Sequence, residues 1–189
     1  MPVITVTLVP GYAPEAQARL VTHLAAAARS VVPASDAGTT VYVNEASTYR
    51  RDGRVLTRGD GAAALPDASE VVREFLDAVG RRDFDAARRW LAPGFEMVFP
   101  GGVVMRELPE LAAWAAGRYQ SVSKHYERFD QAWQGEVTVV FCSGTLQGRW
   151  LDGTPFEGVR FVDRFELAGG RIRRQEVWND LAEARKTRA

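Results

Sequence analysis

Cysteine is almost absent from these 189 residues, and the single thiol, Cys142, can form no internal disulfide, which suits a reducing cytoplasm. Two histidines, His23 and His125, with that one cysteine are too few for a His/Cys zinc site. No apolar run nears the ~20 residues that span a bilayer; the longest alanine-rich stretch lies around Leu24–Ala28. Met1-Pro2-Val3-Ile4 lacks the basic segment and small-residue cleavage site of a signal peptide. Neither sign of charge is in excess, with 24 Lys+Arg against 24 Asp+Glu, so no global field draws nucleic acid or an anionic membrane. Internal repeats, low-complexity tracts, phosphate-cradling glycine loops and dinucleotide fingerprints are missing too, and nothing in the sequence asks for a metal or cofactor. The expectation is a cytoplasmic protein acting on a small molecule, with no nucleic-acid or membrane partner.

What is present is a soluble globular composition, 46% hydrophobic and 25% charged, arranged in two modules. Residues 2–8 alternate apolar and polar in a β-branched run, which predicts a strand. From Pro14 to about Val31, the residues Leu20, Leu24, Ala27 and Val31 recur at helical spacing, and Pro33 ends the helix. A second strand is predicted at Thr39–Val43, followed by an arginine-rich polar segment from Tyr49 to Arg58. The result is one β-α-β unit over 1–58 with a parallel strand pair. Two strands and one helix cannot cover both faces of their own sheet, so the unit is expected to pack against other copies of itself.

Residues 59–66 read as a linker. Beyond it, Asp67-Ala-Ser-Glu70 opens a helix with Val71, Val72, Phe75, Leu76 and Val79 on one face, and Asp83 caps a second short helix. Pro93-Gly94 reads as a turn into a strand at Phe95–Phe99, and a third helix is predicted from Pro109 to Tyr119. Long strands follow at about 125–134, 136–147, 158–167 and 171–179, separated by Gly135, Asp152-Gly153 and Gly169-Gly170. Helices first and a meander afterwards predict an α+β domain over 67–189, its helices covering one face of a curved antiparallel sheet.

Two residues carry candidate chemistry. Proline in second position favours removal of the initiator methionine, which would leave a secondary amine at the mouth of a strand. Such an α-amino group titrates near ~8, and an apolar pocket with nearby arginines would keep it neutral, able to take and return a proton next to a carbonyl. The alternative is that Pro2 simply starts a strand. The whole segment, Pro2-Val-Ile-Thr-Val, the Gly11 turn, the helix and Thr39-Thr-Val-Tyr-Val-Asn-Glu45, resembles the 4-oxalocrotonate tautomerase family. The resemblance implies small subunits assembling in pairs and hexamers, with Pro2 as general base and acid. The family's two carboxylate-binding arginines fall on Tyr12 and Tyr42, which form no bidentate clamp. A neutral enol or ketone therefore suits the pocket better than a dicarboxylate, with Arg50, Arg51 and Arg54 as the nearby cations. A second implication of the same departures is a unit that keeps only its assembly role.

The other candidate is Asp163. In Val159-Arg-Phe-Val-Asp-Arg-Phe-Glu-Leu167 one strand face reads Val159, Phe161, Asp163, Phe165, Leu167. An acid among such neighbours is expected to stay neutral and donate a hydrogen bond to an oxyanion, or else to pair with a neighbouring arginine such as Arg174. Residues 68–183 resemble the SnoaL-like polyketide cyclases and ketosteroid isomerases of the nuclear transport factor-like superfamily. The residues that carry this are Val71–Val79, Asp83-Phe-Asp-Ala-Ala87, Phe161-Val-Asp-Arg-Phe165, the Gly169-Gly-Arg-Ile172 turn and Glu176-Val-Trp-Asn-Asp180. The resemblance implies a conical barrel around an apolar pocket, with Asp163 at the acidic position of the central strand. The isomerases' separate base falls on Phe99 and their helix tyrosine on Phe75, so standard ketosteroid isomerase chemistry is not expected. His125, Glu176 and Trp178 are candidate pocket liners. Both modules thus point to a cofactor-independent isomerase or cyclase that moves a proton next to a carbonyl on a small, largely apolar, secondary-metabolite intermediate. The alternatives are an assembly unit joined to a ligand-binding barrel, and hydration or epoxide hydrolysis within that barrel.

Overall fold

Alternating side chains in Val3–Leu8 form strand β1, with Ile4, Val6 and Leu8 half-buried and Val3, Thr5 and Thr7 exposed. Helix α1 spans Pro14–Arg29 with proline in its first turn, and β2 spans Thr40–Glu45. β1 and β2 pair in parallel, from Val3 opposite Thr40 to Leu8 opposite Glu45. The arginine-rich segment forms a hairpin, β3 (Thr48–Arg51) and β4 (Arg54–Thr57). Its tip, Asp52-Gly53, has both residues at positive φ, the twist a two-residue hairpin needs. The computed structural model describes residues 1–57 and 64–186, and the chain divides into two units, Met1–Ala64 and Leu65–Ala189. Most of the expected linker, 59–63, falls outside the described residues. Among the described residues of the first unit only Pro10 is buried, so this unit holds almost no core of its own.

The second unit opens with α2 (Ala68–Gly80), whose first turn is held by the Asp67 carboxylate accepting from Ser69 N at 2.9 Å and Glu70 N at 3.2 Å. Asp83 caps α3 (Phe84–Arg88) through Ala86 N at 3.0 Å. Then come β5 (Leu91–Phe99), β6 (Val103–Met105), α4 (Leu108–Ala116), β7 (Tyr119–Gln134), β8 (Val137–Trp150), β9 (Pro155–Ala168), β10 (Arg171–Asn179) and α5 (Leu181–Lys186). They form one six-stranded sheet in the order β6-β5-β10-β9-β8-β7. The sheet is mixed rather than antiparallel throughout, because β5 and β10 run parallel. Pro93-Gly94 does not precede β5 but lies inside it, where five residues of β5 are spanned by two of β10. Gly94 takes φ 74° there, a bulge conformation that suits glycine.

The core lies between the helices and one sheet face. Phe75 of α2 meets Phe95 and Phe165 edge-on at 6.1 and 6.0 Å, with Val72, Met97 and Ile172 fully enclosed nearby. Each such side chain contributes about 1.5–3 kcal/mol by leaving water. The opposite face carries ion pairs within and across strands: Arg164 donates to Glu176 and Glu166, both at 2.8 Å, Arg173 to Glu166 at 2.8 Å, and Arg174 to Glu96 and Glu176. Burial alone would raise the Glu166 carboxyl, but Arg173 and Arg164 outweigh it and hold the group below the usual carboxylate range.

Candidate functional site

Val159, Phe161, Asp163, Phe165 and Leu167 all point into the core, as β9 alternation requires, and Asp163 has no exposed surface. It is not a lone acid. Lys124 of β7 forms an ion pair with Asp163 Oδ2, and Gln175 Nε2 of β10 donates to the same oxygen at 3.1 Å. The Lys124 ammonium also lies 4.3 Å from the Phe161 ring centroid. The cation is therefore Lys124, while Arg174 is engaged with Glu96 and Glu176 on the other face.

Register explains which neighbours gather here. On β10 the pairing with β9 steps from Ile172–Leu167 to Arg174–Glu166, leaving Arg173 as an extra residue. Strict alternation from buried Ile172 would send Arg174, Glu176 and Trp178 inward. The bulge reverses the phase, so Gln175 and Val177 are buried, Glu176 sits in the ion-pair lattice and Trp178 is 52% exposed. On β7, Lys124 and Tyr126 are half-buried and His125 between them is exposed. His125, Glu176 and Trp178 thus lie away from Asp163, whereas Lys124, Tyr126 and Gln175, which sequence reading did not single out, lie with it.

Two more groups complete the cluster. Cys142 of β8 is the register partner of Asp163 and fully buried, and its thiol is pushed up to about 12 by burial and then by the Asp163 charge. Tyr126 packs edge-on to Phe161 at 6.0 Å, and burial, followed by Cys142 and Asp163, raises its phenol well above the usual range. Asp163 Oδ1 and Gln175 Oε1 are both buried and accept no hydrogen bond from the described residues. The amide orientation of Gln175 is fixed by charge, since turning it would set Oε1 against the carboxylate. Together these groups present an ammonium donor, a carboxylate and two open acceptors against aromatic walls. Surface grooves of about 280 Å³ beside Trp90 and about 370 Å³ beside Phe156 share no residue with the cluster.

In the first unit the sequence-predicted residues are spread along the strands. The Pro2 carbonyl accepts from Thr40 N at 3.1 Å, at the start of the pair. The Tyr12 carbonyl accepts from Gln17 Nε2, which also donates to Glu45 at the far end. Six residue steps of strand separate these ends by about 20 Å. Tyr42 lies midway, opposite Thr5 and 56% exposed. Arg50 and Arg54 are exposed in the hairpin, and the Arg51 side chain lies outside the described residues. A single copy does not gather Pro2, Tyr12 and Tyr42 into one pocket.

The model of the SnoaL-like domain family matches residues 72–175, more than half the chain and the whole span holding Lys124 and Asp163. The chain belongs to the SnoaL-like domain family. Solved structures of the same fold include an NTF2-like protein of unknown function from Burkholderia pseudomallei, 23% identical, with TM-score 0.51, covering 63% of this chain and 95% of that one. TerC, co-crystallised with polyporic acid, is 22% identical, with TM-score 0.53, covering 63% of this chain and 95% of that one. A protein from Jannaschia assigned as a SnoaL-like polyketide cyclase is 20% identical, with TM-score 0.50, covering 68% and 96%. No curated protein matches the chain. The family match lies within the second unit and leaves the β-α-β unit outside it. Among the described residues no helix is long and apolar enough to cross a membrane, and no group of three or more His, Cys, Asp or Glu could hold a metal.

Proposed function

We propose that this SnoaL-like domain is a cofactor-independent isomerase or cyclase that moves a proton next to a carbonyl on a small, largely apolar molecule. The observation that supports it is the pairing of a fully buried carboxylate, Asp163, with the half-buried ammonium of Lys124. In this reading the ion pair with Lys124 casts Asp163 as the base rather than as a neutral hydrogen-bond donor. The carboxylate takes the α-proton, and the enolate oxygen that develops accepts from Lys124, where exclusion of water strengthens both interactions. Returning the proton to another carbon isomerises the substrate, and attack of the enolate carbon on a second carbonyl closes a ring. Deuterium exchange into benzylacetone (4-phenylbutan-2-one) in heavy water, followed by NMR, tests the step, and Asp163→Asn should slow it by about 100-fold or more. Hydration or epoxide hydrolysis would instead incorporate labelled oxygen from water.

A second reading concerns the first unit, where burial of Pro10 alone among the described residues favours assembly with other copies. Pro2 serves there as a base only in a chain that has lost Met1, because its nitrogen is otherwise an amide. Light scattering on the full chain should give a mass above that of one copy, and intact-mass measurement decides the state of Pro2.

A further inference from the structure

We propose that Lys124 acts as a covalent catalyst, its amine condensing with a ketone or aldehyde of the substrate to form an imine; this deepens the reading of the Asp163 site and rests on it. The first observation is chemical selection. Of the 24 basic residues only two are lysines, Lys124 and Lys186, and the rest are arginines. An arginine would hold a buried carboxylate bidentately and at lower hydration cost, but it can neither lose its proton nor attack a carbonyl. Among the described residues, the cation that pairs with Asp163 is an amine.

Geometry supplies the second observation. Asp163 is fully enclosed whereas Lys124 keeps 23% of its side chain exposed, so Lys124 is the member of the pair that an entering solute meets. Its Nζ touches a carboxylate that can take its proton, and an aromatic wall, Phe161, lies 4.3 Å away. Desolvated lysines beside apolar walls are the ones that form Schiff bases. The third observation is the pair of open acceptors, Asp163 Oδ1 and Gln175 Oε1. A carbinolamine brings a new O–H to this place and keeps one N–H of the amine, and both are donors that those oxygens can receive.

The step balances without an oxidant or reductant. Asp163 takes one proton from the ammonium, and the free amine attacks the carbonyl carbon, forming C–N, after which the attacking nitrogen passes a proton to the oxygen and makes it a hydroxyl. Asp163 returns the proton to that hydroxyl, the C–O bond breaks, water leaves, and an iminium remains on Lys124. The iminium acidifies the neighbouring C–H, and the Asp163 carboxylate removes it to give an enamine. Hydrolysis by water reverses the linkage after the proton or carbon bond has been placed.

The test is reductive trapping on the full chain with benzylacetone and cyanoborohydride. An alkylated Lys124 resists trypsin, so the label should appear on the uncut peptide 119–128, about tenfold or more above the label on Lys186. Lys124→Arg should give no label at this peptide, and Asp163→Asn should slow its formation. Equal labelling of Lys124 and Lys186, or none on Lys124, overturns the proposal. Should Lys124→Arg keep full deuterium exchange while Asp163→Asn loses it, covalent catalysis falls and the acid–base reading of Asp163 stands.

Discussion

Gly144 of β8 lies so close to His125 of β7 that a Cβ at Gly144 would stand 2.0 Å from the His125 carbonyl oxygen. No real Cβ tolerates that distance, and the obstacle is backbone, which cannot rotate aside. The approach belongs to the β7 bulge next to Tyr126, whose register partner is Gly144. Gly144→Ala should therefore cost about 2 kcal/mol or more and disturb the strand that carries Lys124. Gly80→Ala, at a helix end with open space around it, should be neutral or stabilising by up to about 1 kcal/mol. Urea unfolding of the two variants checks the contrast, and equal stabilities would contradict it.

Much of the second unit's fold was legible in the sequence because hydrophobic periods and turn residues recorded it: alternation marked the long strands, Asp67 and Asp83 the helix starts, and Gly135, Gly153 and Gly169-Gly170 the turns, while β6 and the parallel pairing of β5 with β10 left no such local mark. Asp163 was legible for the same reason, as the polar member of an apolar strand face. Its partners were not, because they depend on where β7 and β10 bulge. One extra residue, Arg173, turns Gln175 inward and Trp178 outward, and no local pattern signals it. Lys124 was hidden by distance along the chain, since its register partner on β8 is Leu146 and it reaches Asp163 two strands away. The short β3–β4 hairpin had a signal, Asp52-Gly53, outweighed by the polar arginines around it.

Three protonated groups in the core should make the protein alkali-sensitive. The Cys142 thiol is raised to about 12, the Tyr119 phenol is raised to about 12 by burial, and Tyr126 is raised as well. In the unfolded chain these groups lose protons near ~9–10, so above that pH the folded state binds more protons than the unfolded one. Stability is then full below pH 9 and falls as pH rises toward 12. Melting temperature measured from pH 7 to 11 should drop beyond pH 9, and Cys142→Ala combined with Tyr126→Phe should flatten the drop. Native Cys142 should also resist iodoacetamide at pH 8 and react once urea unfolds the chain.

The Lys124–Asp163 pair carries its own stability signature. Removing the charge in Asp163→Asn leaves the ammonium without its partner, a loss of about 3–5 kcal/mol for a fully buried pair. Lys124 is partly exposed and can swing to water, so about 2–3 kcal/mol is expected. Replacing both residues, Lys124→Met with Asp163→Leu, should recover much of it. Denaturant titration of wild type, Lys124→Met, Asp163→Leu and the double variant gives the coupling, and additive single effects would mean that the pair is not formed in solution.

The central claim is that Asp163 moves the proton. The most direct measurement is the initial rate of deuterium entry at the α-carbons of benzylacetone, with wild type and Asp163→Asn compared at matched folded fraction. Catalysis above the buffer rate by wild type, reduced by about 100-fold or more in Asp163→Asn, is the predicted result. Equal rates in the two proteins would contradict it and leave the buried pair as structure alone.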